Sequence, residues 1–392
     1  MKVLLAHDFY RSSAPSGEDA AYRNERSMLE KAGVGVVPFE RHNDAIDDST
    51  LSRRVSLALN GAWSRKSYDD ISALVRKTKP DVAHFHNTFP LISPSGYAAC
   101  RDNGVPVVQT LHNFRLICPG ALLLRDGKPC EACVGTTLPL PALRHRCYRN
   151  SAAATAAQVW TLVRNRWRGV YAGQVDRYIA LTRFAASRLA AGGLPADRID
   201  VKPNFLPVDP GPGAGGGGYA AFVGRLSEEK GVRVLLSAWR AVDGLPLKIA
   251  GDGPLRPELE RQAVREGLAV EFLGYRQRDE VYALLRNAVM SILPSVCYEG
   301  FPMSMIESFA CGTPVVVSRI GSLAELVEEG VTGVTFEPGN PDDLAVKVAG
   351  LGMPPERLAG LRTTTRKTFE SRHTAKKNLD ALLGIYGKVA HA

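Results

Sequence analysis

Short apolar runs alternate with segments of helical periodicity along the whole chain. A continuous apolar run is typical of a strand buried on both faces, and strands that alternate with helices form parallel sheets. In the first half, the predicted strands are Lys2–Ala6, Gly35–Phe39, Val82–His86 and Val107–Leu111. The predicted helices there are Asp19–Ala32 and Ile71–Lys77. In the second half, the predicted strands are Tyr219–Val223, Leu247–Ala250, Val270–Leu273, Ser291–Pro294 and Val315–Ser318. Between them lie the predicted helices Gly231–Ala241 and Leu255–Gly267 and the segment Asp279–Asn287.

A segment rich in proline and glycine divides this pattern into two halves. Residues 206–218 contain three prolines and six glycines, which favour neither helix nor strand. A chain of 392 residues also exceeds what one hydrophobic core usually fills. We therefore predict an α/β fold with two Rossmann-like, doubly wound domains, at residues 1–205 and 219–374. Ligands of such sheets bind beyond the carboxyl ends of the strands, which favours a ligand cleft between the two domains.

The composition is that of a globular protein, with 45% apolar and 23% charged residues. No apolar run approaches the roughly 18 residues of a membrane span, and the first residues are typical of a strand rather than a signal peptide. We therefore expect a cytoplasmic protein that is peripheral to the inner face of the plasma membrane.

The net positive charge is confined to the first half of the chain. Residues 1–205 carry 28 Lys and Arg against 18 Asp and Glu, whereas the remaining residues carry 21 against 22. Formal charges of +10 and −1 follow, and the total is +9. No nucleic-acid-binding signature is present, so we favour an anionic membrane surface or a lipid diphosphate as the acidic partner. A proteome generally rich in arginine would produce the same excess.

Two glutamates flank the start of a predicted helix in the second half. Glu299 lies in the preceding loop and Glu307 one to two turns inside the helix, because Pro302 suits a first helical position. The free N–H groups and the dipole of a helix start attract phosphate, whereas carboxylates suit sugar hydroxyls. This arrangement predicts a nucleotide-sugar site. Between the two glutamates, the helix start comprises Gly300, Phe301, Pro302, Met303 and Ser304.

Two cations follow another predicted strand. Arg225 and Lys230 come after Gly224, and five residues apart they can both reach one diphosphate. Cleavage of a sugar–phosphate bond builds negative charge on the leaving diphosphate, which these cations would stabilise. The chain contains no Asp-x-Asp sequence, the usual element that holds a divalent cation at a diphosphate. We therefore expect catalysis without a divalent metal.

The Glu-x7-Glu element resembles the signature of the retaining GT-B glycosyltransferases of family 4, the group 1 family. The similarity continues through Phe222–Gly231, Ile249–Pro254 and Val270–Gly274, and it covers about residues 205–340. It implies a metal-independent hexosyltransferase that retains anomeric configuration and moves a sugar from a UDP- or GDP-sugar to a lipid-linked or surface-polysaccharide precursor. It also implies that the first domain binds the acceptor and that a helix within residues 375–392 crosses back onto that domain.

The resemblance assigns roles to residues outside this element. His112 follows the predicted strand Val107–Leu111 and looks like a family histidine that contacts the donor sugar. Asn204 resembles a Pro-Asn element that binds the donor or caps a turn. The candidate catalytic residues are His112, Glu299, Arg225 and Lys230. The candidate donor-binding residues are Asn204, Gly224, Arg225, Lys230, Glu299, Gly300, Phe301, Pro302, Met303, Ser304 and Glu307.

Acceptor-side residues are expected in the first domain. One group looks like the glycine-rich loop of the family, with one glycine where the family often has two. A second group follows the predicted strand at residues 82–86, and for it we favour hydrogen bonding to the acceptor over a metal site. The two groups are Ser16, Gly17 and Glu18, and His84, His86 and Asn87.

Four of the seven cysteines fall within thirty residues, in an insertion at about 115–150 that has little apolar periodicity. A Cys-x2-Cys pair with two flanking cysteines matches the ligand spacing of structural zinc. A reversible disulfide, an Fe–S cluster and unligated thiols are the alternatives. The resemblance does not decide among them, because the family pattern does not require this insertion. The candidate ligands are Cys118, Cys130, Cys133 and Cys147.

The segment 151–173 combines aromatic and basic residues at helical spacing. A helix of this kind can lie on a membrane surface, and a core-packed helix with a charged outer face is the alternative. Its predicted apolar face and neighbouring arginines are Trp160, Val163, Trp167 and Val170, and Arg164, Arg166 and Arg168.

Two other function classes compete with the transferase. A catalytically silent sugar-nucleotide sensor or scaffold would keep the fold, but the presence of both glutamates, both cations and His112 disfavours it. A basic nucleic-acid-binding protein would show salt-sensitive binding to DNA or RNA and no sugar turnover. Neither the donor sugar, the acceptor nor the linkage follows from the residues.

Overall fold

The computed structural model describes residues 1–13, 16–351 and 355–390. The chain divides into two compact units. The first unit comprises Met1–Leu123, Cys130–Pro203 and Ala375–Ala392, and the second comprises Leu124–Pro129 and Asn204–Thr374.

A six-stranded parallel sheet forms the centre of the first unit. Up to Pro203, the strands are β1 (Lys2–Phe9), β2 (Gly35–His42), β3 (Val82–Phe85), β4 (Val107–Leu111), β5 (Leu124–Arg125), β6 (Lys128–Pro129), β7 (Arg177–Ala180) and β8 (Ile199–Val201). The sheet order is β2-β1-β3-β4-β7-β8, whereas β5 and β6 form a separate antiparallel pair. The helices are α1 (Gly17–Lys31), α2 (Leu51–Ala62), α3 (Arg65–Thr78), α4 (Ser95–Asp102), α5 (Leu140–Arg144), α6 (Ala152–Trp167), α7 (Val170–Gly173) and α8 (Arg183–Ala191).

The second unit repeats this architecture. Its strands are β9 (Ala220–Val223), β10 (Leu247–Ala250), β11 (Val270–Gly274), β12 (Met290–Leu293), β13 (Val315–Ser318) and β14 (Gly333–Phe336). They pair in parallel in the order β11-β10-β9-β12-β13-β14. Its helices are α9 (Val232–Ala238), α10 (Arg256–Arg265), α11 (Arg278–Asn287), α12 (Met303–Ala310), α13 (Gly321–Leu326), α14 (Pro341–Leu351) and α15 (Pro355–Arg372).

The apolar character of the strands explains both sheets. Every residue of β3, β4, β12 and β13 is buried, as expected for parallel strands with helices on both faces. The predicted α/β fold with two Rossmann-like parallel sheets is therefore confirmed. The strands predicted at Val107–Leu111, Leu247–Ala250 and Val315–Ser318 have the predicted bounds.

The proline- and glycine-rich segment contains no helix or strand between residues 207 and 218. It is held by side chains of α15: the Arg362 guanidinium donates to the carbonyl oxygen of Gly213, at 2.9 and 3.1 Å, and Arg366 forms an ion pair with Asp209. The last helix of the chain, α16 (Ala375–Ala390), belongs to the first unit. The last two residues of the predicted 375–392 helix lie outside the described residues.

The predicted amphipathic segment 151–173 is two helices rather than one. Helix α6 ends at Trp167, and Gly169 adopts a left-handed φ of 64° before α7 begins at Val170. Val170 therefore does not share a helical face with Trp160 and Trp167. Those two tryptophans are 43% and 76% exposed, whereas Val163 is buried. Arg166 also does not face solvent freely, because it donates to the backbone carbonyls of residues 116 and 136.

Candidate functional site

The strand order of the second unit creates a switch point between β9 and β12. The chain proceeds from β9 outward to β10 and β11, and then returns to the other side of β9 at β12. In open parallel sheets, ligands bind beyond the carboxyl ends of the strands at this point. The loop after β9 carries Arg225 and Lys230, and the loop after β12 carries Glu299. Both predicted groups thus lie at the carboxyl ends of neighbouring strands.

Lys230 and Glu299 are in direct contact. The Lys230 Nζ atom lies 2.6 Å from Glu299 Oε1, and the Ser295 hydroxyl donates to the same oxygen at 2.6 Å. Burial would lower the pKa of Lys230, but the Glu299 carboxylate outweighs it and holds that pKa above its usual value. Lys230 is therefore charged, and the two residues of this ion pair are 69 positions apart in the sequence.

Two glycines let the loops of this site approach each other closely. Gly231, at a φ of 67°, follows Lys230, and a Cβ atom there would lie 1.8 Å from the carbonyl oxygen of Pro294. Gly251, at a φ of 141°, follows β10, and its Cβ atom would lie 1.9 Å from the carbonyl oxygen of Gly224. Any side chain at either position would push the loop after β9 away from its neighbours.

Arg225 remains available to a ligand. Its side chain is exposed, and among the described residues its guanidinium has no hydrogen-bond or ion-pair partner. The backbone N–H of Ser227 donates to the Arg225 carbonyl oxygen at 3.1 Å, which stabilises the turn that carries it. An unpaired guanidinium in the same loop as a charged lysine suits a diphosphate, which guanidinium groups bind in a bidentate manner.

Helix α12 presents Glu307 on its half-exposed face. The helix begins at Met303, so Pro302 is the residue before the first helical position rather than the first position itself. Glu299 lies in the preceding loop and Glu307 just beyond the first turn, as predicted. Burial raises the pKa of Glu307 to about 7, and the nearby Arg278 guanidinium opposes this only partly. A carboxyl group with this pKa changes its protonation in the physiological range.

Asn204 supports the helix start instead of facing a ligand freely. Its side-chain amide donates to the carbonyl oxygen of Phe301 at 3.3 Å, and it is 9% exposed. The Phe301 ring packs against the ring of His373, with 5.5 Å between their centroids. Burial lowers the pKa of His373 to about 4, so this imidazole is neutral. This contact fits the turn-capping role considered for Asn204, and donor binding by Asn204 stays a prediction.

In the first unit, the structure brings His86 and His112 together. His86 follows β3 and His112 follows β4, and these strands are neighbours. The His86 Nδ1 and His112 Nε2 atoms lie 2.9 Å apart. His86 Nε2 lies 3.0 Å from Glu25 Oε1, and Glu25 belongs to α1. His112 is half-buried, whereas His86 is 2% exposed.

His84 and Asn87 are used inside the protein. The two ring nitrogens of His84 lie 2.7 Å from the Tyr386 hydroxyl and 2.8 Å from the Thr110 hydroxyl, and the ring is fully buried. The Asn87 amide donates to the carbonyl oxygens of Asp8 and Phe89. Neither side chain offers a free group to an acceptor, so the prediction of acceptor hydrogen bonding by these two residues is not supported.

The residues of the predicted glycine-rich loop belong to a helix start. Ser16 is the N-cap of α1 and forms a capping box with Asp19, so Gly17 and Glu18 lie in the first turn rather than before the helix. The Glu18 Oε1 atom accepts a hydrogen bond of 2.7 Å from the amide of Asn113, which adjoins His112. Burial raises the pKa of Glu18. Glu18 thus lies next to the end of β4, whereas Ser16 has a capping role.

Glu25, His84 and His86 form a group that could hold a metal ion, with ligand atoms within 4.8 Å of one another. However, Lys202 Nζ lies 3.0 Å from Glu25 Oε2 and is 2% exposed, and it also donates to Asn378 Oδ1 at 2.9 Å. An ammonium group therefore already supplies the positive charge that a metal would bring. The group is best described as a buried ion-pair network.

The four clustered cysteines lie near one another but do not form a compact ligand set. The Cys133 thiol interacts electrostatically with those of Cys118, Cys130 and Cys147, and burial raises its pKa to about 11. Burial raises the pKa of the Cys118 thiol, and the backbone N–H groups of residues 120, 121 and 123 oppose this. A Cβ atom on Gly120 would lie 3.8 Å from that sulfur and 3.6 Å from Cys147 Cβ. Among the described residues, no three cysteine sulfurs lie within 4.8 Å of one another.

The sequence interpretation missed several side chains that shape these sites. Ser295 and Arg278 contact or face the two predicted glutamates, and Glu25 and Lys202 connect to His112 through His86. One signal was available: Lys202 is a lone charge between β8 and Pro203, where burial demands a partner. No feature of the sequence around Lys202 or Glu25 identifies Glu25 as that partner.

Family models match most of the chain. Residues 29–209 match the model described as Glycosyltransferase Family 4, and residues 218–352 match the model described as Glycosyl transferases group 1. An uncharacterized glycosyltransferase of Methanocaldococcus jannaschii is 32% identical over 44% of this chain and 48% of its own length. The chain therefore spans about half the length of that relative.

Longer but weaker similarities cover both units. The 2-deoxystreptamine glucosyltransferase of Streptomyces kanamyceticus is 29% identical over 78% of this chain and 77% of its own length. The crystal structure of HepE from Anabaena in complex with UDP-glucose has a TM-score of 0.68 and 18% identity, and the match covers 99% of this chain and 100% of HepE. This likeness shows a shared fold, and the predicted GT-B class is confirmed.

Proposed function

Because this chain belongs to the glycosyltransferases of group 1 and family 4, we propose that it transfers a hexosyl group from a UDP- or GDP-sugar to a hydroxyl of a lipid-linked or glycan acceptor. One observation carries the proposal. The Lys230–Glu299 ion pair lies at the switch point of the second sheet; the loop that carries Lys230 also carries the unpaired Arg225, and Glu299 lies in the loop before α12. This is a site for a diphosphate with a sugar attached.

The proposed chemistry follows from these charges. When the bond between the anomeric carbon and the diphosphate oxygen breaks, negative charge grows on the leaving diphosphate. Arg225 and Lys230 would stabilise that charge without a divalent metal. Glu299, held by Lys230 and Ser295, would accept hydrogen bonds from hydroxyls of the transferred sugar. The acceptor oxygen then forms the new glycosidic bond with retention of configuration, and its proton passes to the leaving diphosphate. EDTA should leave turnover unchanged.

Glu307 is proposed to bind the ribose of the donor nucleotide, and its ionised form should be the one that binds. An ionised carboxylate accepts hydrogen bonds from both ribose hydroxyls, whereas a protonated one has to donate its own proton. Since burial raises the pKa of Glu307 to about 7, the ionised fraction rises from pH 6 to pH 8. We expect UDP-glucose or a GDP-sugar to bind about tenfold more tightly at pH 8 than at pH 6.

Isothermal titration calorimetry tests this assignment. The isosteric Glu307→Gln variant should bind the nucleotide-sugar roughly ten- to hundredfold more weakly at pH 8 and should lose the pH dependence. Glu271→Gln is the control, because Glu271 is an exposed glutamate on the same unit, paired with Lys248. If the wild-type protein binds no UDP- or GDP-sugar, the proposed function is wrong. If Glu307→Gln binds like wild type, only the ribose assignment is wrong.

A catalytically silent sugar-nucleotide sensor is the competing function. It would bind the same ligand in the same place, so binding alone does not separate the two. Transfer or slow hydrolysis of the sugar does, and release of free nucleotide from the nucleotide-sugar is the readout. The NMR coupling of the anomeric proton in the product also tests retention, because an inverted centre would contradict it.

An exposed apolar surface on the first unit supports the proposed membrane contact. No helix in the described part of the chain is long and apolar enough to span a bilayer. On α2, one side chain per turn is apolar and at least half exposed, and α2 packs beside α6 with its exposed tryptophans. Arg164 lies over the Trp160 ring, 5.9 Å from its centroid. We name this set the α2–α6 surface: Leu51, Val55, Leu59, Trp160 and Trp167.

Vesicle sedimentation tests the α2–α6 surface. We expect the protein to bind vesicles of phosphatidylglycerol and phosphatidylcholine more strongly than vesicles of phosphatidylcholine alone, and salt should weaken the binding. Val55→Ser with Trp167→Ser should reduce it roughly tenfold or more, because both side chains lose apolar contact with the lipid. Val264→Ser, at an 84% exposed valine of the second unit, is the matched control. Equal binding by all three proteins would exclude this surface as the contact.

The cysteine cluster is proposed to hold one structural zinc ion. The support is chemical and local: the thiols of Cys118, Cys130 and Cys147 lie near that of Cys133, and backbone N–H groups lie close enough to the Cys118 thiol to favour its thiolate, the form that binds zinc. Four thiolates at roughly 2.3 Å would leave no open position, so the metal would cross-link residues 115–150 rather than react. The sulfurs would move closer together on binding.

A further inference from the structure

A chain of hydrogen bonds runs from a buried carboxylate to His112. Glu25 Oε1 lies 3.0 Å from His86 Nε2, and His86 Nδ1 lies 2.9 Å from His112 Nε2. Glu25 and His86 are 2% exposed, whereas His112 is half-buried at the carboxyl end of β4. The chain therefore leads from the interior of the first unit to a side chain that a ligand can reach.

Glu25 can only accept hydrogen bonds. Burial would raise the pKa of its carboxyl group, but Lys202, His84 and His86 hold that pKa well below its usual value. Lys202 Nζ donates to Oε2 at 3.0 Å, so the carboxylate is neutralised on that side. An ionised carboxylate has no proton to donate, which requires His86 to donate its Nε2–H to Glu25.

The proton on His86 determines the proton on His112. Burial lowers the pKa of His86 to about 4, so the ring is neutral and carries one proton. With that proton on Nε2, the Nδ1 atom of His86 holds a lone pair and must accept a hydrogen bond. The donor 2.9 Å away is His112 Nε2. Burial and the neighbouring His86 also keep the pKa of His112 well below its usual value, so its second nitrogen carries no proton.

We propose that Glu25 and His86 are positioning residues that fix His112 as the neutral Nε2–H tautomer and leave its Nδ1 lone pair to accept a hydrogen bond from a hydroxyl of the sugar substrate. The sugar as ligand rests on the proposed function, whereas the tautomer does not. An acceptor lone pair selects a hydroxyl group and repels phosphate oxygens. His112 would therefore orient a sugar hydroxyl and would not act as a proton donor at neutral pH.

His84 provides a matched comparison within the same network. It lies 3.0 Å from the same Glu25 oxygen as His86, and it is equally buried. Its other nitrogen contacts Thr110 instead of His112. Loss of His84 therefore disturbs Glu25 but leaves the His86–His112 contact in place.

Nitrogen-15 NMR of the full-length protein labelled at histidine tests the proposal. The tautomer of each ring follows from its ¹⁵N shifts, and His112→Gln identifies the His112 signals. We expect the Nε2–H tautomer of His112 in the wild-type protein and in His84→Gln, and a mixture of tautomers in His86→Gln. A wild-type His112 protonated on Nδ1, or on both nitrogens at pH 7.5, would overturn the proposal. So would a His86→Gln protein in which the His112 tautomer is unchanged.

Steady-state kinetics connects the tautomer to function. His86→Gln should lower kcat about tenfold, the size of one lost neutral hydrogen bond, with little change in the KM for the nucleotide-sugar. If the tautomer is as proposed but neither His112→Gln nor His86→Gln changes turnover, the positioning network stands and the role of His112 at the sugar is wrong. If no nucleotide-sugar is turned over at all, the proposed function fails independently of the NMR result.

Discussion

Replacing Arg225 with alanine should lower kcat by roughly 10²–10³, the loss seen when one preorganised group that stabilises developing charge is removed. The guanidinium is exposed and, among the described residues, has no partner that its loss would leave unpaired. The free energy of unfolding should therefore stay unchanged within about 0.5 kcal/mol. A large catalytic loss without a loss of stability is the signature of a ligand-binding cation. Release of nucleotide from the nucleotide-sugar, measured under saturating donor, gives kcat.

Two variants sharpen this prediction. Arg265→Ala removes another exposed arginine of the second unit, one that lies 3.3 Å from Glu266, and it should turn over like wild type. Arg225→Lys keeps the charge but loses the planar pair of donors, so it should recover only part of the activity. Wild-type turnover by Arg225→Ala would place the diphosphate elsewhere. Lys230→Ala is less informative, because it leaves Glu299 partly buried without its cation.

The double variant Cys130→Ser with Cys133→Ser should lose the zinc ion and unfold at a lower temperature. The insertion at 115–150 has few regular elements: only the two-residue strands β5 and β6 and the five-residue helix α5 lie in its described residues. A zinc ion bound by four thiolates would supply the cross-link that such a segment lacks. We expect about one zinc per chain in the wild-type protein and a fall in the melting temperature of roughly 5–10 °C in the variant.

Elemental analysis and differential scanning calorimetry provide the measurements. Cys100→Ser is the control, because Cys100 is fully buried but lies in α4, outside the insertion at 115–150, so this variant can lose stability yet must keep its zinc. Binding of the nucleotide-sugar should persist in the double variant, since the proposed donor residues belong to the second unit. Wild-type protein without metal, in which Cys118, Cys130 and Cys147 react freely with an alkylating agent, would exclude the zinc site.

The local sequence determined the strands and helices and the positions of the two glutamates of the candidate site. The strand Val315–Ser318 is apolar at its first three positions, and no other element fits so short a buried run that begins after Gly312-Thr313-Pro314. The positions of Glu299 in a loop and Glu307 in a helix follow from the residues between them. Such features depend on neighbours within a turn or two, so spacing alone predicts them.

Only the tertiary structure decided which of these residues meet. The contact between Lys230 and Glu299 requires β12 to pair beside β9, and strand order is not encoded by any local spacing. Lys202 and Glu25 are 177 residues apart, and in the sequence each has the pattern of an ordinary surface charge. Only the folded chain buries both and brings them into contact. Burial makes an unpaired charge very costly, so the fold must supply the partner. The buried Glu25–Lys202 pair determines which ring nitrogen of His86 carries the proton, and therefore which nitrogen of His112 can accept a hydrogen bond from a ligand. Sequence spacing does not predict this.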